Sequence, residues 1–300
     1  MSTETYVLHI TKECNMMCRY CYEQDKTSTY EWHDIKELLD DIVKYNNNFS
    51  LEFLGGEPCL RTDLIKKTVK YLSNINDVNV QSFMITTNGT IVDDVLIETM
   101  KKYNNVSYAF SMDGNNIMNC LRIMKTGHNS HDIVVKNAKK MLELFGPDRI
   151  SCHFVTHPYN IGYLNDGIDH LYNIGIRSFG IGTIESTIII DEDYCKTFIK
   201  QHKILSDRIK KGELPNINIS LFSWLKPITD ERHYIKDDTG KTILETYGRA
   251  KNDIKDTNKY NNINSFSDLG NTIYFIREAV YFYHNNIKEN PNNNPYLKYI

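Results

Sequence analysis

Short runs of β-branched and aromatic residues alternate with longer helix-patterned stretches over the first 211 residues, and this alternation leaves few folds open. The strand-like runs fall at residues 6–11, 50–54, 82–87, 107–112, 150–156 and 178–183. The helical stretches fall at 33–45, 61–73, 93–103, 132–144, 160–173 and 191–211. In the first of these, Ile35, Leu38, Leu39, Ile42 and Val43 make one apolar stripe, and Leu64, Ile65, Thr68, Val69 and Leu72 repeat it in the second. Each stripe gives a helix one face to lay on a sheet. Repeated strand–helix units predict a parallel sheet with right-handed crossovers, either open and doubly wound or curved into an incomplete barrel. At 41% hydrophobic and 24% charged residues, the chain can bury a core of that size.

The chemistry concentrates just after the first strand. Cys14, Cys18 and Cys21 form a C-x3-C-x2-C run, with Tyr20 immediately before the last cysteine. Three thiolates on one short loop can hold three irons of a [4Fe–4S] cube. No fourth cysteine follows at close range, so the fourth iron is open to an outside ligand. A structural zinc site would need four closed ligands, and no second ligand pair is present. Seven cysteines with no secretory signal do not suit a disulfide framework.

Further motifs fall at the ends of later strands. Gly55-Gly56-Glu57-Pro58 follows the second, Thr87-Asn88-Gly89 the third, and Ser111-Met112-Asp113-Gly114 the fourth, with Arg122 beyond. Glycines let a backbone come close to a neighbour without a Cβ in the way. Arginine suits a carboxylate because its planar fork can grip both oxygens. His157-Pro158-Tyr159-Asn160 follows the fifth strand and Gly182-Thr183-Ile184-Glu185 the sixth. His153 and His157 read as packed or hydrogen-bonded strand residues, and Cys59, Cys120, Cys152 and Cys195 carry no assignment.

Together the cysteine run and these strand-end motifs resemble the radical S-adenosylmethionine (radical SAM) superfamily. The S-x-D-G…R arrangement is similar to its anaerobic sulfatase-maturase and peptide-modifying branch. The resemblance covers roughly residues 5–210. It implies a partial (β/α)6 TIM-like barrel with the active site at the carboxyl ends of the strands. It implies a [4Fe–4S] cluster on Cys14, Cys18 and Cys21, and SAM bound at the open iron. Gly55, Gly56 and Glu57 would then meet the SAM amino group, Ser111 and Arg122 its carboxylate, and Asn88 would belong to the same SAM site. The reaction implied is reductive cleavage of SAM to a 5′-deoxyadenosyl radical, fed by a low-potential electron donor. One departure stands out: where family members often carry His-Asp before the arginine, this chain has Asn119-Cys120.

Residues 1–212 thus read as the radical SAM core, and 213–300 as a mostly helical, cysteine-free cap or substrate region. In that region 236–259 is charged and turn-rich, whereas 271–289 has the pattern of an amphipathic helix. Relatives of the SPASM type bind auxiliary clusters through a cysteine-rich extension, and residues 196–300 lack the ligands for one. The net charge of −3 gives no electrostatic reason to expect nucleic acid. No apolar run is long enough to span a bilayer, and residues 1–12 show no signal-peptide pattern. A cytoplasmic location is expected, where thiols stay reduced. Three functions remain open: hydrogen abstraction from a peptide or protein, the same chemistry on a small molecule or nucleotide, and a non-catalytic iron–sulfur or SAM-binding sensor or scaffold.

Overall fold

The computed structural model describes residues 4–21, 23, 26–183, 192–219, 232–236 and 242–247. They fall into two compact units, one with residues 4–17, 23, 26–110, 232–236 and 242–247, the other with 18–21, 111–183 and 192–219. The predicted helix at 271–289 lies outside the described residues.

In the first unit, β1 (Glu4–Thr11), β2 (Asn48–Gly55), β3 (Asn79–Thr87) and β4 (Val106–Ser111) pair in parallel and in chain order. Helices α1 (Trp32–Tyr45), α2 (Thr62–Leu72) and α3 (Asp94–Lys102) connect them. β1 is buried along nearly its whole length, whereas β2 alternates a buried apolar face with a partly open polar one: Leu8, Ile10, Phe49, Leu51, Phe53, Phe83 and Ile85 are closed to solvent, and Ser50 and Glu52 are not. Ile35, Leu39 and Ile42 of α1 and Leu64, Ile65, Val69 and Leu72 of α2 supply the covering stripes. Each such side chain contributes about 1.5–3 kcal/mol by leaving water. Asp93 starts α3 by accepting the Leu96 N–H at 2.8 Å, an N-cap that satisfies one of the helix's orphan donors.

Two strands past the predicted core boundary also belong to this unit. β8 (Arg232–Lys236) pairs antiparallel with β9 (Thr242–Tyr247), and β9 pairs antiparallel with β1, Thr5 opposite Tyr247 through Leu8 opposite Leu244. The edge of β1 is therefore covered by chain from the region read as a cap.

In the second unit, β5 (Ile150–Thr156), β6 (Ser178–Thr183) and the two-residue β7 (Asn218–Ile219) are parallel, with α4 (His131–Phe145), α5 (Leu164–Ile174) and α6 (Glu192–Lys210) around them. β5 shows strict alternation: Ile150, Cys152, Phe154 and Thr156 are buried, and the residues between them are partly open. Before α5 the expected helix at 160–173 is split, with a 3-10 turn at Ile161–Tyr163 preceding the α-helix at Leu164. Among the described residues no helix is long and apolar enough to cross a membrane.

Candidate active site

The loop after β1 is divided between the units, Cys14 going with the first and Cys18, Tyr20 and Cys21 with the second.

In the first unit, the segment after β2 is zipped onto the approach to Cys14. The Gly56 N–H donates to the Thr11 carbonyl at 2.8 Å, and the Glu57 N–H to the Glu13 carbonyl at 2.7 Å. A Cβ on Gly55 would stand 2.1 Å from the Thr11 carbonyl oxygen, and one on Gly56 would stand 2.2 Å from that of Lys12. Gly55 also has φ of 134°, a backbone that side chains rarely adopt. The two glycines do make a close backbone approach, and the neighbour they approach is the cysteine loop itself.

Glu57 is fully buried, with its carboxylate used inside the fold. One oxygen accepts the Cys59 N–H at 2.9 Å and the Thr87 hydroxyl at 2.6 Å, and the other accepts the Asn88 N–H at 2.7 Å. Burial raises its pKa, and these hydrogen bonds oppose the rise. Through Glu57 the segment after β2 is tied to the segment after β3.

Asn88 in turn braces the cysteine loop. Its side-chain amide donates to the Asn15 carbonyl oxygen at 2.8 Å and lies 3.8 Å from the Cys14 sulfur, which also accepts the Met16 N–H at 3.4 Å. Asn15 reaches on to the Thr90 hydroxyl at 2.8 Å. A sulfur that collects N–H donors is prepared to carry a thiolate's negative charge, which a cluster ligand must.

In the second unit, Asp113 is the hub. Its carboxylate accepts the Tyr20 hydroxyl at 2.6 Å on one oxygen. The other oxygen accepts Arg122 Nη2 and the Val155 N–H, both at 2.9 Å. Asp113 is fully buried, and Tyr20 and Arg122 nearly so. The guanidinium sits over the Tyr20 ring, 5.2 Å from its centroid. Burial works against the Arg122 charge, but Asp113, Tyr20 and Cys18 outweigh it and raise its pKa. Arg122 Nε is buried with no hydrogen-bond partner among the described residues, which leaves an N–H of the fork for a further acceptor. Ser111, predicted beside it, ends β4 and is half-buried.

Asn119, the departure noted in the sequence, holds this loop together. Its carbonyl oxygen accepts the Asp113 N–H at 3.0 Å, and its amide donates to Asn129 at 3.0 Å and Ser130 at 3.2 Å. Both histidines of β5 and its end feel Arg122. Burial first, and then the guanidinium charge, push His153 down to about 4. His157 is also lowered, by burial foremost, with Asp113 opposing and Arg122 adding to the effect. Cys152 is an inert core thiol, pushed up to about 12 by burial.

The structure thus groups Cys14 with Gly55, Gly56, Glu57 and Asn88, and Arg122 with Asp113 and Tyr20. Sequence reasoning missed Tyr20, Asp113, Asn119 and Asn15 as organisers of the site. Tyr20 and Asn15 stood inside the cysteine run and Asp113 inside S-x-D-G, but the motifs marked their positions and not their partners.

Residues 8–172 match the Radical SAM superfamily. The chain belongs to the radical SAM superfamily. Members use a [4Fe–4S] cluster and SAM, and thiolate sulfur and a guanidinium are donors of the chemical kind those two groups take. Among curated relatives, the chain is 28% identical over 181 residues to "Uncharacterized protein MJ0907" of Methanocaldococcus jannaschii, covering 60% of this chain and 62% of that protein. It is 26% identical over 171 residues to a probable GTP 3′,8-cyclase of the same organism, covering 56% and 55%. The chain therefore spans less than two thirds of the length of these relatives. Among solved structures, native anSMEcpe with bound AdoMet and Cp18Cys peptide superposes with a TM-score of 0.64 at 17% identity, covering 74% of this chain and 64% of that one. That likeness, with the parallel strand–helix order, shows the fold to be a partial (β/α)6 TIM-like barrel, not closed.

Proposed function

We propose that this chain reductively cleaves SAM and uses the 5′-deoxyadenosyl radical to abstract hydrogen from a peptide or protein substrate. The observation that carries the reading is Arg122: buried, held by Asp113 through a single nitrogen, with Nε unpaired. A buried cationic edge without a partner is costly unless an anion completes it, and the SAM carboxylate is such an anion. Ser111 at the end of β4 adds a hydroxyl. The N–H groups of Gly56 and Glu57 are occupied by Thr11 and Glu13, so this segment would meet the SAM ammonium with carbonyl oxygens, the polarity an ammonium needs. Cys14, Cys18 and Cys21 would hold the cluster, braced by Asn88. When bound, the cluster supplies the single electron that breaks the SAM sulfonium bond.

A peptide substrate is favoured by the S-x-D-G…R segment and by the peptide bound in the similar solved structure. The second reading, a small molecule or nucleotide, is favoured by the GTP cyclase relative. Anaerobic reconstitution followed by assay for 5′-deoxyadenosine tests the first step. Adding size-fractionated cell extract tests the class: stimulation confined to a protease-sensitive fraction supports a peptide, and stimulation by the small-molecule fraction overturns it.

A further inference from the structure

The Tyr20 hydroxyl is a buried polar group placed between two cysteines of the loop, and a phenylalanine would fill the same space. Among the described residues its hydrogen bond goes to the Asp113 oxygen that Arg122 does not use. The Asp113 carboxylate therefore divides its two oxygens, one on Tyr20 and one on Arg122 and Val155. This division keeps Arg122 on a single-nitrogen contact with Nε unpaired. Without the hydroxyl, the freed oxygen would be a buried acceptor lacking a donor, and the guanidinium already bonded to its sister oxygen carries an unspent N–H at Nε. A carboxylate and a guanidinium that are free to do so close into a two-bond fork. Asp113 would then occupy the edge of Arg122 that an incoming carboxylate needs.

We propose that Tyr20 is a positioning residue for SAM: by engaging one oxygen of Asp113, it prevents Asp113 from saturating Arg122 and keeps the guanidinium open to the SAM carboxylate. The proposal rests on the assignment of Arg122 to that carboxylate. It gives the aromatic residue of the cysteine run a role in its hydroxyl, beyond that of its ring.

The test is Tyr20→Phe in the full chain, reconstituted anaerobically, with SAM affinity read by calorimetry and by the change SAM causes in the electron paramagnetic resonance of the reduced cluster. Iron content and visible absorption should match the wild type, while SAM binds about tenfold more weakly, the scale of one charge-assisted hydrogen bond. The same change is made in an Arg122→Lys background, where an ammonium cannot form the fork. There Tyr20→Phe should alter SAM affinity by less than about twofold, because the competition it releases no longer exists. If Arg122→Lys binds no measurable SAM, the single variant decides. Wild-type SAM affinity in Tyr20→Phe, equal losses in both backgrounds, or loss of the cluster itself would each overturn the proposal. A wild-type protein that loads its cluster but binds no SAM overturns the reading of Arg122 as well.

Discussion

The two halves of the strand-end chemistry are built on opposite principles. Around Cys14, every motif group whose hydrogen bonds are described is spent on the protein: Gly56 and Glu57 on the cysteine loop, the Glu57 carboxylate on three donors, and Asn88 on Asn15 and Cys14. Around Arg122 the network is left one bond short. The first half is a scaffold that sets a loop, and on the proposed reading the second is the receptor for SAM. Substitutions should therefore separate into losses of folding or cluster in the first and losses of SAM affinity in the second.

The largest effect belongs to the cysteines. Changing Cys14, Cys18 or Cys21 to Ala should abolish the cluster's visible absorption and 5′-deoxyadenosine formation together. A cluster retained in the triple variant, measured by iron and sulfide content, would remove the assignment.

Glu57 comes next, and it tests the scaffold side. Glu57→Ala leaves the Cys59 and Asn88 N–H groups and the Thr87 hydroxyl buried without their acceptor, so the apoprotein should lose about 3 kcal/mol or more in urea unfolding. Cluster yield should fall with it. A stable, cluster-loaded Glu57→Ala protein impaired only in SAM binding would break the comparison, by making Glu57 a ligand contact.

Arg122→Ala should weaken SAM binding by about ten- to hundredfold, the equivalent of roughly 1.5–3 kcal/mol, while the cluster persists. It also strips Asp113 of its buried counter-charge, so a stability loss is expected beside the binding loss. Arg122→Lys sharpens the result by keeping the charge and losing the fork.

The fold was legible because periodicity reports burial. All six core strands and helices were found to within a few residues, since apolar stripes such as Ile35, Leu39 and Ile42 are forced by the sheet they cover. β8 and β9 were passed over although Tyr234-Ile235 and Thr242-Ile243-Leu244 carry strand-type residues, because the charged run around them reads as loop. Motif residues were legible as types, whereas their partners were not. Nothing local in the sequence says that Glu57 faces Thr87 and Asn88, or that Tyr20 reaches Asp113 ninety-three positions away. Those are tertiary hydrogen bonds with no period. Asn119 shows the limit well: it looked like a departure from a pattern, and the structure gives it the work of pinning the Asp113 turn.

The smallest expected effect concerns His153, on β5 in the same unit as Arg122. Burial and the Arg122 charge drive the proton off its imidazole, so its pKa falls from 6.5 to about 4 in the folded protein. A histidine depressed in this way costs the fold nothing while it is neutral in both states, that is, above 6.5. As pH falls from 6.5 towards 4 the unfolded chain takes up a proton that the folded chain refuses, and stability declines over that window. Below about 4 the folded protein is protonated too, and this contribution to the slope ends. Urea unfolding of the apoprotein between pH 7 and pH 4 should therefore show a shallower acid decline for His153→Gln than for the wild type, with little difference at pH 7. Because the guanidinium charge is the second cause after burial, Arg122→Ala should move the His153 titration upward, visible by NMR of the imidazole protons. Identical acid limbs in wild type and His153→Gln would mean that His153 is solvated enough to titrate normally, and that the Arg122 field does not extend along β5.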